Sequence, residues 1–123
     1  MNASDLKKGF LTTHVLDTAR GCPAAGISVS VSRIQEYNTE LISTDKTNED
    51  GRLEKPILSG ENFLRGKYEL VFHVGEYFEN LIKPNSFPFF DQIPIRFQIW
   101  YEDEHYHIPL LLSPFSYSTY RGS

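Results

Sequence analysis

With 123 residues, 40% of them hydrophobic and 14% aromatic, the chain has the length of one domain and enough apolar side chains to close a core without a disulfide or a metal. Such a composition excludes a disordered chain. A formal charge of −4 with no basic cluster argues against nucleic acid, and no apolar run approaches the roughly 20 residues that a membrane helix needs.

The first nine residues, MNASDLKKG, are polar. Residues 1–9 are expected to form a flexible N-terminal segment of a single domain spanning 1–123. They hold no secretory apolar region, and the one cysteine, Cys22, lacks an internal partner, so a reducing, cytoplasmic setting is expected. The ending Arg-Gly-Ser differs from the Ser-Lys-Leu peroxisomal signal, although a peroxisomal setting stays open.

The dominant signal further along is alternation of apolar and polar residues, the period of a half-buried strand. FLTTHVLD (10–17) is the first such stretch, and RGCPAAG separates it from ISVSVS (27–32). There Ile27, Val29 and Val31 take one face and the serines the other. ELISTDK (40–46) follows, then the turn NEDG (48–51) with Arg52 directly behind it. KYELVFHV (67–74) gathers Tyr68, Leu70, Phe72 and Val74 on one face. In HVGEYFENLI the period changes: Val74, Tyr77, Phe78, Leu81 and Ile82 recur at helical spacing before Pro84, which predicts a helix of about two turns. IPIRFQIWY (93–101) places Ile93, Ile95, Phe97, Ile99 and Tyr101 together. HYHIPLLL (105–112) and FSYSTYR (115–121), joined by the turn LSPF, predict a closing hairpin. In its second strand Ser116, Ser118 and Tyr120 oppose Phe115, Tyr117, Thr119 and Arg121. Neither face has the makeup of a solvated surface, so a second copy of the chain is expected to cover one. About seven or eight short strands with one helix predict an all-β sandwich.

The candidate chemistry is sparse. His73 sits on the polar side of its strand and reads as a solvated histidine. His105 and His107, two apart on a strand, leave the same face and can offer two imidazoles to a metal. An exposed histidine beside a packed one explains the spacing equally well, and no acidic or cysteine cluster supports a metal. His14 interrupts the first strand, where a lone histidine is ordinarily satisfied locally. Arg52, entering from a turn, reads as a surface charge or as a fork for two acceptors of a planar ligand. None of these residues alone names a reaction.

Together they do carry a resemblance. LTTHVLDTARGCPA (11–24), NEDGRL (48–53) and YHIPLLLSPFSYSTYRGS (106–123) resemble the signature segments of the 5-hydroxyisourate hydrolases, transthyretin-like enzymes of urate breakdown. The resemblance implies a transthyretin-like β-sandwich of two four-stranded sheets with one short helix. It also implies a homotetramer, a dimer of dimers, with active sites in the channel where dimers meet. The catalytic trio falls on His14, Arg52 and His107. The closing Tyr120, Arg121, Gly122 and Ser123 complete the site, Ser123 with the catalytic groups and the other three, beside His14 and Arg52, with substrate binding. His105 lies outside the pattern and is expected to be a spectator. The implied reaction opens the six-membered ring of 5-hydroxyisourate with water, giving 2-oxo-4-hydroxy-4-carboxy-5-ureidoimidazoline, and requires no metal or organic cofactor. His14 and His107 would activate water, in an order left open, while Arg52 stabilises negative charge. The alternative is a transthyretin-type carrier of small ligands. In such carriers the positions of His14, Arg52 and His107 hold a lysine, an acidic residue and a threonine, and the Tyr-Arg-Gly-Ser ending is missing.

Overall fold

In the computed structural model, residues 8–122 are described. Residues 1–7 of the expected flexible segment, and Ser123, lie outside them. Gly9 is already held: it is buried, and its amide donates to the Glu102 carbonyl at 2.8 Å.

The alternating stretches become strands. In chain order the elements are β1 (Phe10–Asp17), β2 (Cys22–Pro23), β3 (Ser28–Ile34), β4 (Thr39–Lys46), β5 (Leu58–Ser59), β6 (Gly66–His73), α1 (Gly75–Glu79), β7 (Gln92–Ile99), β8 (His105–Leu112) and β9 (Tyr117–Thr119). One sheet runs β4-β3-β6-β7, antiparallel throughout. The other runs β2-β1-β8-β9, and β5 adds a fifth, two-residue strand on β1. The pairing of Phe10 with Ser59 and Leu11 with Leu58, extended by the Ile57 amide donating to the Leu11 carbonyl at 3.0 Å, accounts for the added strand. The architecture is an all-β sandwich.

The core lies between the sheets. Leu11 and Val15 of β1, Val29 and Val31 of β3, Tyr68, Leu70 and Phe72 of β6, Ile93 and Ile99 of β7, and Leu110 and Leu112 of β8 are all buried. Each such side chain stabilises the fold by about 1.5–3 kcal/mol of transfer free energy. The sequence pattern breaks down on β7, where Ile95 and Phe97 are only partly covered and Tyr101 is exposed. As the outer strand of its sheet, β7 has no neighbour to cover those side chains.

Two predicted elements are shorter than expected. Helix α1 spans five residues, with the Val74 and Gly75 amides both donating to the Asp91 carbonyl at 3.0 and 2.9 Å. Val74 and Phe78 face the core, whereas Leu81 is exposed, so the helical period outlasts the helix. Pro84 and Asn85 (φ 67°) mark the following turn. On β9, only Tyr117–Thr119 joins the ladder, because Phe115 and Ser116 belong to a turn closed by Ser113 and Ser116. No helix among the described residues is long and apolar enough to cross a membrane.

The end of β1 is fixed to α1 by a buried carboxylate. Asp17, 2% exposed, accepts from the Tyr77 hydroxyl at 2.6 Å and from the Arg20 amide at 2.9 Å. Burial and the bond to Asp17 push the Tyr77 phenol up to about 12, so it stays a donor. Replacing Tyr77 by Phe removes one of the partners of a buried charge, which typically costs about 1–3 kcal/mol. Chemical denaturation of Tyr77→Phe should show that loss with an unchanged denaturant slope; equal stability would show that water replaces the phenol.

Candidate active site

Strands β1 and β8 run parallel, with Phe10 opposite His105, Thr12 opposite His107 and His14 opposite Pro109. Paired residues leave the same face, so the outward positions of the two strands form one polar row: Thr12 and His14 beside His105 and His107. The inward neighbours Leu11, Thr13, Val15, Tyr106, Ile108 and Leu110 are buried. Even the two threonines divide in this way. The Thr13 hydroxyl donates to the buried Ile108 carbonyl at 2.6 Å, while Thr12 Oγ1 lies 2.8 Å from His107 Nδ1 and 2.6 Å from His105 Nε2.

Arg52 arrives on a tightly built turn. The Asn48 side-chain oxygen accepts from the amides of Asp50 and Arg52 at 2.9 and 3.1 Å, and the Gly51 amide donates to the Asn48 carbonyl. Gly51 has φ 75°, and a Cβ there would lie 2.3 Å from the Val15 carbonyl, so only glycine fits. Its own carbonyl accepts from the Val15 amide at 2.8 Å, locking the turn onto β1 and bridging Arg52 to His14. His14 Nε2 donates to the Asp50 carbonyl at 2.8 Å. A carbonyl only accepts, so neutral His14 carries its proton on Nε2 and keeps its lone pair on Nδ1. Arg52, His105 and His107 line one cleft of about 380 Å³, together with Thr12, Thr13, Leu53 and Lys55.

The final residues divide between two places. Gly122 reaches the site: its amide donates to the His107 carbonyl at 2.7 Å, and a Cβ would lie 2.6 Å from His107 Cδ2, so the backbone packs directly on the imidazole edge. Arg121 does not. Its guanidinium lies 4.1 Å from the Tyr106 ring centroid and pairs with Glu104 at 2.9 Å. Tyr120, 57% exposed, lines a second cleft with Arg121, Thr119, Ile95 and Phe97 at the β7 edge. Within one chain, then, His14, Arg52, His107 and Gly122 come together, whereas Tyr120 and Arg121 stand apart and Ser123 lies outside the described residues. Thr12 is a site neighbour that sequence reasoning did not single out, and His105, expected to be a spectator, lines the same cleft. The alternation TTH paired with HYH was the available signal, but it acquires meaning only once the strands are known to be parallel and in register.

His107 is partly buried. Burial, then the electrostatic effect of the neighbouring Arg52, His105 and His14, hold its imidazole below the ordinary value of about 6.5. Neutral pH therefore finds it with a free ring lone pair. Among the described residues no three His, Cys, Asp or Glu side chains converge as metal ligands.

This arrangement belongs to a known group. The family described as HIUase/Transthyretin matches residues 11–122. A 5-hydroxyisourate hydrolase of Pseudomonas aeruginosa is 51% identical over 119 residues, covering 94% of this chain and 92% of that protein. Among solved structures, a 5-hydroxyisourate hydrolase of Klebsiella pneumoniae aligns with TM-score 0.78 and 35% identity, over 94% of this chain and 99% of that one. A crystallised (S)-allantoin synthase aligns with TM-score 0.86 and 47% identity; it covers 96% of this chain, which spans only 45% of that longer one. The chain belongs to the HIUase/Transthyretin family.

The depressed His107 pKa has a measurable consequence. Between the folded value and the ordinary value, the unfolded chain binds the proton that the folded chain refuses. Stability associated with this ring is thus complete above about pH 6.5 and is lost as pH falls through the folded pKa. Histidine NMR titration should place the His107 midpoint below about 6.5. In Arg52→Gln the midpoint should rise, since a neighbouring cation is gone, but stay below the ordinary value because burial remains. A wild-type midpoint at or above the ordinary value contradicts this account.

Proposed function

We propose that this protein, like the relatives named 5-hydroxyisourate hydrolase, hydrolyses 5-hydroxyisourate, and that the product is 2-oxo-4-hydroxy-4-carboxy-5-ureidoimidazoline. The observation that carries the reading is the convergence of Arg52 and His107 on one cleft, with His14 bridged to Arg52. Ring opening needs a base for water, a stabiliser for the oxyanion that forms at the attacked carbon, and a proton for the departing ring nitrogen. His107, neutral and held through Nδ1, has Nε2 left to take the water proton and return it to that nitrogen. The Arg52 guanidinium provides fixed positive charge for the oxyanion and a fork for ring acceptors. His14, anchored by its carbonyl bond, presents Nδ1 as an acceptor that orients the heterocycle or the water. Each step uses side chains and water alone.

Assembly belongs to the same proposal. Strand β9 is an outer strand, and the aromatics on it and flanking it are left open by one chain, with Phe115 78%, Tyr117 41% and Tyr120 57% exposed. A homotetramer covers this edge, and it offers Tyr120, Arg121 and the Ser123 terminus a place at a neighbour's cleft. A cytoplasmic setting suits the free Cys22.

Urate oxidase can generate the substrate in the cuvette, and its ultraviolet absorbance should then decay faster with the protein than in buffer. No acceleration would sink the enzyme reading. His14→Asn, Arg52→Ala and His107→Asn should each assemble as the wild type does by sedimentation, yet lose about 10²–10⁴-fold in kcat. Gly122→Ala pushes a methyl into the His107 ring and should cost on the order of 10²-fold by displacing it. Wild-type turnover in Gly122→Ala would show that the ring position is not critical.

A further inference from the structure

Next to His107 stands a second imidazole that the proposed reaction leaves unused. His105 is exposed at the rim of the cleft and stacks on Phe10, with ring centroids 4.2 Å apart and planes inclined by 19°. Its Nε2 lies 2.6 Å from Thr12 Oγ1, and the same oxygen lies 2.8 Å from His107 Nδ1. A hydroxyl has one hydrogen to give. With both rings neutral, it donates to one ring nitrogen and accepts from the other, so the two facing nitrogens carry opposite protonation and both rings adopt the same tautomer.

We infer that Thr12 and His105 form a proton relay behind His107 and switch it from base to acid within one turnover. This rests on the reading of His107 as the acid–base group. In the starting arrangement His107 Nδ1–H donates to Thr12, the Thr12 hydroxyl donates to His105 Nε2, and His107 Nε2 is bare. When water attacks the substrate, its proton goes to His107 Nε2. The Nδ1 proton then passes to Thr12 Oγ1, and the hydroxyl proton passes to His105 Nε2. His107 is neutral again but now carries N–H at Nε2, and the positive charge sits on the exposed His105. As Nε2 gives its proton to the departing ring nitrogen, both relay transfers reverse and the starting arrangement returns. No proton is gained or lost over the cycle.

The placement of charge favours this direction of travel. His107 is partly buried near the Arg52 guanidinium and shares its cleft with the Lys55 ammonium, whereas His105 stands in solvent at the rim. Charge held on His105 is better hydrated, and farther into solvent, than charge left on His107. Thr12 and His105 are positioning residues here, since they act through His107.

The test combines kinetics with ring tautomers. Thr12→Val and His105→Gln should each lower kcat by about 10–10²-fold with KM little changed, while Thr12→Ser should recover most of the loss. The double variant should be no worse than either single one, because one relay can be cut only once. In nitrogen-15 NMR of the resting protein, His107 Nδ1 and His105 Nε2 should show opposite protonation, and Thr12→Val should abolish that correlation. If Thr12→Val and His105→Gln keep kcat within about two-fold of wild type while His107→Asn is inactive, the relay is overturned and the acid–base reading stands. An active His107→Asn overturns that reading and the relay together. Like protonation at the two nitrogens in the wild type also overturns the relay, whatever the turnover.

Discussion

The candidate site depends on the parallel pairing of β1 with β8. These strands come from opposite ends of the chain, and eight consecutive residue pairs, from Phe10–His105 to Asp17–Leu112, fix their register. A slip by one residue would send His107 into the core and Ile108 into the cleft. The buried partners make such a slip costly. Leu11, Val15, Leu110 and Leu112 fill the sandwich, and Thr13 is tied to the Ile108 carbonyl. Packing energy on the inner face therefore holds the polar row on the outer face in register.

A second constraint converts that row into a site. The turn 48–52 is bonded to itself through Asn48 and to β1 through Gly51, so a long and flexible arginine starts from an immobile backbone. The chain end adds a third contact, where Gly122 lies against the His107 ring without a side chain between them. Gly122 is small because a side chain would meet the His107 ring, Gly51 because a Cβ would meet the Val15 carbonyl, and Asn48 serves through the side-chain oxygen that closes the turn. The site is preorganised by backbone, which is what charge stabilisation in a small cleft requires.

The electrostatics follow from the crowding. Three imidazoles and a guanidinium share one face, and partial burial, followed by the effect of those neighbours, makes His107 give up its proton at lower pH than usual. This shift stabilises nothing in the resting fold. It leaves a neutral base beside a fixed cation, a pairing suited to taking a proton from water while an oxyanion forms nearby.

Strand positions and faces were largely written in the sequence, because burial of one side of a sheet imposes a period of two that needs no partner to be read. FLTTHVLD and HYHIPLLL map onto β1 and β8 with their full lengths. Features that depend on neighbours were not legible. The end of α1, the openness of Ile95 and Phe97 on an outer strand, and the extra strand β5 all reflect which element happens to lie alongside. The same holds for the site. Resemblance drew attention to His14, Arg52 and His107, but residue types alone do not show that Thr12 touches two imidazoles or that Arg121 turns to Tyr106 and Glu104. Those facts arise from strand direction and register, which are set by the packing of the whole sandwich and by no local stretch of chain.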